Sequence, residues 1–157
     1  MRTRVYVETS VVSYLVSRPS RDLVVAAHQE VTREWWETRR ARFDLFVSQA
    51  VLDEAGRGDP AAAAARLRAL EGIAVLDATE ETAELAQSLL AEGVFPSEAR
   101  LDALHVALAA THGLDVLLTW NCRHLANGEI ARTAARHLWA RGHVPPAICT
   151  PDELMGE

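Results

Sequence analysis

Four places in this chain set a carboxylate or an amide at or near the end of an apolar run. Glu8 closes Val5-Tyr6-Val7 and is followed at once by Thr9 and Ser10. The acidic pair Asp53-Glu54 lies on a short helical stretch after Phe43–Ser48. Asp102 falls in the first turn of Ala99–His112, and Asn121 closes Val116-Leu117-Leu118-Thr119-Trp120. Three apolar residues in a row, two of them Val, read as a strand buried on both faces of a parallel sheet. Open α/β sheets take their ligands beyond the carboxyl ends of such strands. A cluster of carboxylates gathered there repels itself unless a cation neutralises it. Oxygen ligands select hard ions, so Mg²⁺ or Mn²⁺ is expected rather than zinc. Such an ion activates water and stabilises the charge that develops as a phosphodiester is hydrolysed.

The elements that must position these groups are legible as alternating strands and helices. After the first strand, Val11–Val16 has the length of a short helix packed back on the sheet. A longer helix runs from an N-cap at Ser20 to about Arg42, with Leu23, Ala27, Val31 and Trp35 recurring along one face. Phe43–Ser48 reads as a second strand and Val51–Ala55 as a short helix. Asp59-Pro60 supplies the N-cap and first-turn proline of a helix through Leu70. Ile73–Leu76 is a third strand, followed by a helix from Thr79 to about Ala91. The alanine-rich helix Ala99–His112 is closed by Gly113, Val116–Thr119 is a fourth strand, Ala126–Arg141 a last helix and Ile148–Thr150 a fifth strand. This alternation predicts an α/β fold, a three-layer α/β/α domain with a mainly parallel sheet of about five strands. Right-handed crossovers then place every strand's carboxyl end along one edge.

Composition narrows the function classes. A chain of 157 residues, 49% hydrophobic, fits one domain with a sizeable core. No apolar run approaches the roughly 20 residues of a membrane span. Met1-Arg2-Thr3-Arg4 runs straight into the first strand and leaves no room for a signal peptide, so a cytoplasmic location is expected. Cys122 and Cys149 are too few for a disulfide scaffold and lack metal-type spacing. A net charge of −6 argues against a protein that coats nucleic acid. The charge is uneven, with eight Arg against five acids in residues 1–42 and four Arg against eleven acids in 43–100. A basic front beside an acidic pocket suits an enzyme that holds a polyanion while carboxylates hold metal, and unevenly charged solvated faces give the same pattern.

Val5-Tyr6-Val7-Glu8-Thr9-Ser10, Val51-Leu52-Asp53-Glu54, Asp102-Ala103-Leu104-His105 and Leu117-Leu118-Thr119-Trp120-Asn121 together resemble, in order and spacing, the PIN-domain nucleases. The resemblance runs from Val5 to Thr150 and is nearest to the single-domain, VapC-like branch, whose members are often toxins of toxin–antitoxin pairs. It implies a Mg²⁺- or Mn²⁺-dependent endoribonuclease that leaves a 5′-phosphate and a 3′-hydroxyl. It selects Glu54 over Asp53, whose side chain points about 100° away on a helix. It also implies Glu8, Glu54, Asp102 and Asn121 as catalytic and metal-binding residues, RNA as substrate, a homodimer, and a small antitoxin protein as a possible partner. Two positions depart from the family pattern: Glu8 and Asn121 stand where Asp is usual. The longer Glu8 moves its carboxylate outward, and Asn121 removes a charge, so a PIN domain that binds RNA or a protein without cutting is the rival reading. An α/β phosphatase is poorly supported, because no Asp-x-Asp follows the first strand and no Gly-rich phosphate loop exists.

The remaining candidates are contacts to substrate. Thr9 and Ser10 offer hydroxyls to Glu8 or to a phosphate, and Ser10 and Thr119 are candidate substrate contacts. Arg18 and Arg21, in a proline-bearing loop on the basic third of the chain, are candidate phosphate contacts. His105 is expected mainly as core packing one turn beyond Asp102, and His124 as a loop residue near RNA. Asp115 precedes the fourth strand and belongs to the opposite edge. Of Trp35 and Trp36 only one can face inward, leaving the other for a partner surface.

Overall fold

Val5, Tyr6 and Val7 are all fully buried, which only a central strand covered on both faces allows. The computed structural model, which describes residues 1–156, places β1 (Thr3–Val7) at the centre of a five-stranded sheet. β2 (Phe43–Ser48) pairs with one side of β1, and β3 (Ala74–Leu76) adds beyond it. β4 (Val116–Leu118) pairs with the other side and β5 (Ala147–Cys149) closes that edge. All four pairings are parallel, and the order is β3-β2-β1-β4-β5. The chain therefore winds outward from β1 to β3 and then jumps back to the far side of β1. That reversal makes the carboxyl ends of β1 and β4 a topological switch point, where an open α/β sheet forms a crevice. Glu8 follows β1 directly, and Thr119 to Asn121 follow β4.

Helices form the outer layers of this three-layer α/β/α arrangement. α1 (Thr9–Val16) packs on α2 (Leu23–Thr38), α3 (Gln49–Ala55) and α4 (Pro60–Leu70). α5 (Glu80–Ala91) packs on α6 (Arg100–Thr111), and α7 (Gly128–Ala140) lies between β4 and β5 in sequence. α6 is the most buried of them: Ala103 and every residue from His105 to Ala110 are buried. Its alanine-rich sequence lets it sit close to its neighbours.

α2 differs from the sequence expectation in start, end and face. Its N-cap is Asp22, not Ser20, because the Asp22 carboxylate accepts from the amides of Val24 at 2.9 Å and Val25 at 3.0 Å. The Ser20 hydroxyl instead accepts from the Asp22 amide. The helix ends at Thr38, and Arg40–Arg42 form a separate 3-10 turn. Leu23 and Ala27 face solvent, and the inner face is Gln29, Thr32 and Trp35. That face is polar because it is tied by hydrogen bonds: Gln29 reaches Ser17 Oγ, the Arg18 carbonyl and the Ser20 amide. Thr32 Oγ1 accepts from Trp120 Nε1 at 2.6 Å, and the Trp120 ring stacks on His28 with centroids 4.0 Å apart. Trp35 is the inward tryptophan; Trp36 is half-buried with Arg40 lying over its ring at 4.3 Å. α7 starts at Gly128 with Asn127 as its cap, two residues later than the sequence suggested.

Thr32→Val keeps the shape of the side chain but leaves the buried Trp120 indole N–H without an acceptor. A loss of about 1–3 kcal/mol is expected, read from the urea midpoint of unfolding.

Candidate active site

The crevice at the switch point is lined by the groups that cap its helices. Glu8 is the N-cap of α1 and only 5% exposed. Its Oε2 accepts from the Ser10 amide, while Oε1 accepts from the Ser10 hydroxyl and from Thr119 Oγ1 at 2.6 Å. The extra methylene of Glu over Asp is taken up by this backward curl onto its own helix. The Ser10 hydroxyl also accepts from the Trp120 amide at 2.8 Å, which ties the start of α1 to the end of β4.

Glu54 comes to meet Glu8 from α3. Its Oε1 accepts from Thr9 Oγ1 at 3.0 Å and faces His105 Nε2 at 2.7 Å; its Oε2 has no hydrogen-bond partner among the described residues. One ligand-type atom each from Glu8, Glu54 and His105 all lie within 4.8 Å of one another. Burial pushes the Glu54 carboxyl up, but the hydrogen bonds from His105 and Thr9 and the nearby Arg57 outweigh it, so it is held below its ordinary value. Asp53 instead accepts from Gln49 at an exposed position on the same helix.

Asp102 and Asn121 form a second pair at the same edge. Asn121 donates Nδ2–H to Asp102 Oδ1 at 3.1 Å, and its Oδ1 accepts from the amides of Arg123 and His124. The other Asp102 oxygen lies 3.0 Å from His124 Nδ1. The two pairs are linked, since the Asn121 backbone N–H donates to the Thr119 hydroxyl that itself donates to Glu8. Asp102 is not within the close group formed by Glu8, Glu54 and His105. Asp115 lies at the far edge, where its carboxylate accepts from the Arg4 amide.

Among the described residues, no Arg forms an ion pair with Glu8, Glu54 or Asp102. The donor set therefore fits a divalent cation: two adjacent carboxylates, one with a free oxygen, and Glu54 kept ionised as a ligand must be. Both cysteines are free, and burial pushes each thiol up, which suits neither thiolate ligands nor nucleophiles.

Arg18 and Arg21 are exposed in the turn before α2, and neither side chain bonds to the carboxylates. Arg57, one turn beyond Glu54, was not singled out from sequence. It is exposed, makes no ion pair among the described residues, and its charge acts on Glu54. It also lines a cavity of about 280 Å³ with Asp53 on α3 and Leu101, Leu104 and Leu108 on α6. Tyr6 was passed over and His105 was read mainly as core packing, because a tyrosine in a buried strand and a histidine in an apolar helix both read as core. Their shared signal was position, His105 being one turn from Asp102 and Tyr6 two residues from Glu8.

The result is a three-layer α/β domain that gathers carboxylates at the switch point of a parallel sheet. The PIN domain family model matches residues 5–124, from β1 through the Asp102–His124 pair, and the chain belongs to that family. No curated protein matches the chain. Among solved structures it is similar to VapBC2 from Rickettsia felis bound to a DNA fragment from its promoter, at 13% identity and a TM-score of 0.59. The match covers 94% of this chain and 98% of that one, and at this identity it shows the fold. No helix among the described residues is long and apolar enough to cross a membrane.

Proposed function

We propose that this chain is a Mg²⁺- or Mn²⁺-dependent endoribonuclease, its ion held by Glu8 and Glu54 with Asp102 completing the acidic centre. The observation that carries the reading is the approach of the Glu8 and Glu54 carboxylates at the switch point with no Arg paired to either. When bound, the ion supplies charge that polarises a phosphodiester and acidifies a water. The protein's part is orientation. Ser10 and Thr119 fix Glu8, Thr9 and His105 fix Glu54, and Asn121 with His124 fixes Asp102. Asn121 is then a clamp on Asp102, since both of its amide atoms are already engaged. Arg57 is better placed than Arg18 or Arg21 to hold a backbone phosphate beside Glu54, with the leucine-lined cavity next to it.

Because the structural neighbour is a VapBC2 assembly, a small antitoxin-like protein is part of the proposal, as is a homodimer. The rival, an RNA-binding PIN domain that does not cut, is favoured by the occupied oxygens of Glu8 and Asn121. Incubating purified protein with a structured RNA, with Mn²⁺ or with EDTA, separates them. Cleavage only with metal, leaving 5′-phosphates, supports the nuclease; RNA retained but uncut in Mn²⁺ supports the rival. Arg57→Ala is expected to raise KM about tenfold with kcat little changed, as loss of a ground-state phosphate contact does.

A further inference from the structure

We infer that His105 is a positioning residue locked by Tyr6 and Ser48 into one tautomer, so that it donates to Glu54 and is withheld from the metal. The inference rests on the proposed metal centre and concerns which atoms that centre is denied. Three short contacts run in a line through the core. Ser48 Oγ lies 2.7 Å from Tyr6 Oη, Tyr6 Oη lies 2.6 Å from His105 Nδ1, and His105 Nε2 lies 2.7 Å from Glu54 Oε1. Ser48, Tyr6 and His105 are all essentially buried, Ser48 at the wall of the 280 Å³ cavity beside Asp53 and Arg57.

The direction of the line follows from counting protons. Ser48 is the N-cap of α3, and its oxygen accepts from the Val51 amide at 3.3 Å. Its own proton has one available acceptor among the described residues, Tyr6 Oη. The phenol proton then goes to Nδ1, which must be bare, and the ring carries its proton on Nε2, facing the Glu54 carboxylate. In this order each buried proton has an acceptor. Running the line backwards puts a proton on Nδ1 and sends the phenol proton to Ser48, leaving the serine proton with no acceptor. It also needs a second proton on Nε2, because a bare nitrogen would otherwise face a carboxylate oxygen at 2.7 Å.

The consequence is metal selectivity. Imidazole nitrogen attracts zinc and copper, whereas carboxylate oxygen suits Mg²⁺ and Mn²⁺. His105 has the right distance to join Glu8 and Glu54 as a nitrogen ligand. To do so it must expose a bare Nε2 and move its proton to Nδ1, which the tyrosine and serine oppose. The helix cap of α3 thus keeps an adjacent histidine out of the coordination sphere and leaves the centre to oxygen.

The test uses metal-free, ¹⁵N-histidine-labelled protein, so it stands whether or not RNA is cut. In the wild type, two-dimensional NMR at neutral pH is expected to show His105 with a bare Nδ1 and a protonated Nε2. In Tyr6→Phe, Nδ1 loses its donor, the two ring forms mix, and calorimetric Zn²⁺ affinity relative to Mn²⁺ rises about tenfold, the value of one lost hydrogen bond. His105→Gln keeps an N–H for Glu54 and has no ring nitrogen. It is expected to retain Mn²⁺ affinity, whereas His105→Ala loses about tenfold, as outer hydrogen-bond partners of ligands do. A protonated Nδ1 in the wild type, an unchanged Zn²⁺ to Mn²⁺ ratio in Tyr6→Phe, or equal losses in His105→Gln and His105→Ala would each overturn the inference.

Discussion

Glu54→Gln is expected to lower Mn²⁺-dependent RNA cleavage by about 100-fold or more, the scale on which small misplacements at a reacting centre are felt. The substitution keeps volume, and the amide oxygen can still accept from Thr9 and His105. What it removes is the charge, and what it adds is an NH₂ where the unpartnered Oε2 stood. The loss should fall on kcat/KM together with metal affinity, measured by Mn²⁺ titration of the initial rate. Metal-free stability is not expected to rise, because the Glu54 carboxyl is held low despite its burial, which means the folded protein favours the ionised form. A depressed carboxyl contributes stability at neutral pH and loses it as pH falls through the folded-state value. Thermal unfolding of the parent should therefore weaken on acidification more than that of Glu54→Gln.

Asp102→Asn is expected to remove cleavage to a similar extent while the fold persists. Asp102 accepts from the Asn121 amide through one oxygen and meets His124 Nδ1 through the other. An asparagine there keeps its oxygen toward Asn121 and turns its NH₂ toward His124, whose Nδ1 becomes the acceptor by a change of tautomer. No buried polar group is orphaned, so circular dichroism and the urea midpoint should match the parent. Equal cleavage by mutant and parent in Mn²⁺ would remove Asp102 from the centre.

The fold was readable because its main signals are local. Val5 to Val7 announce a doubly buried strand, and Asp59-Pro60 and Thr79 open their helices as the residue types require. The edge shared by Glu8, Glu54, Asp102 and Asn121 follows from parallel strands and right-handed crossovers. The α2 face was not readable, because its inner residues Gln29 and Thr32 are polar and satisfied by partners distant in sequence, while Leu23 faces water. The division of the site into a Glu8–Glu54 pair and an Asp102–Asn121 pair was hidden for a related reason. A side chain's type gives its capacity for hydrogen bonds, but only the assembled crevice decides which capacity is used. Asn121 spends its oxygen on the turn after β4 and its nitrogen on Asp102. Arg57 was passed over because one arginine beside a helix end carries no pattern.

In the proposed nuclease, Glu8 and Glu54 together hold the ion on which RNA cleavage depends. Crystals grown with Mn²⁺ and measured at the manganese absorption edge test it directly, since the anomalous signal marks the ion alone. A peak bound by oxygens of both Glu8 and Glu54 is expected, with His105 still donating to Glu54. A peak coordinated elsewhere, or none from crystals of protein that cleaves RNA in Mn²⁺, would contradict it.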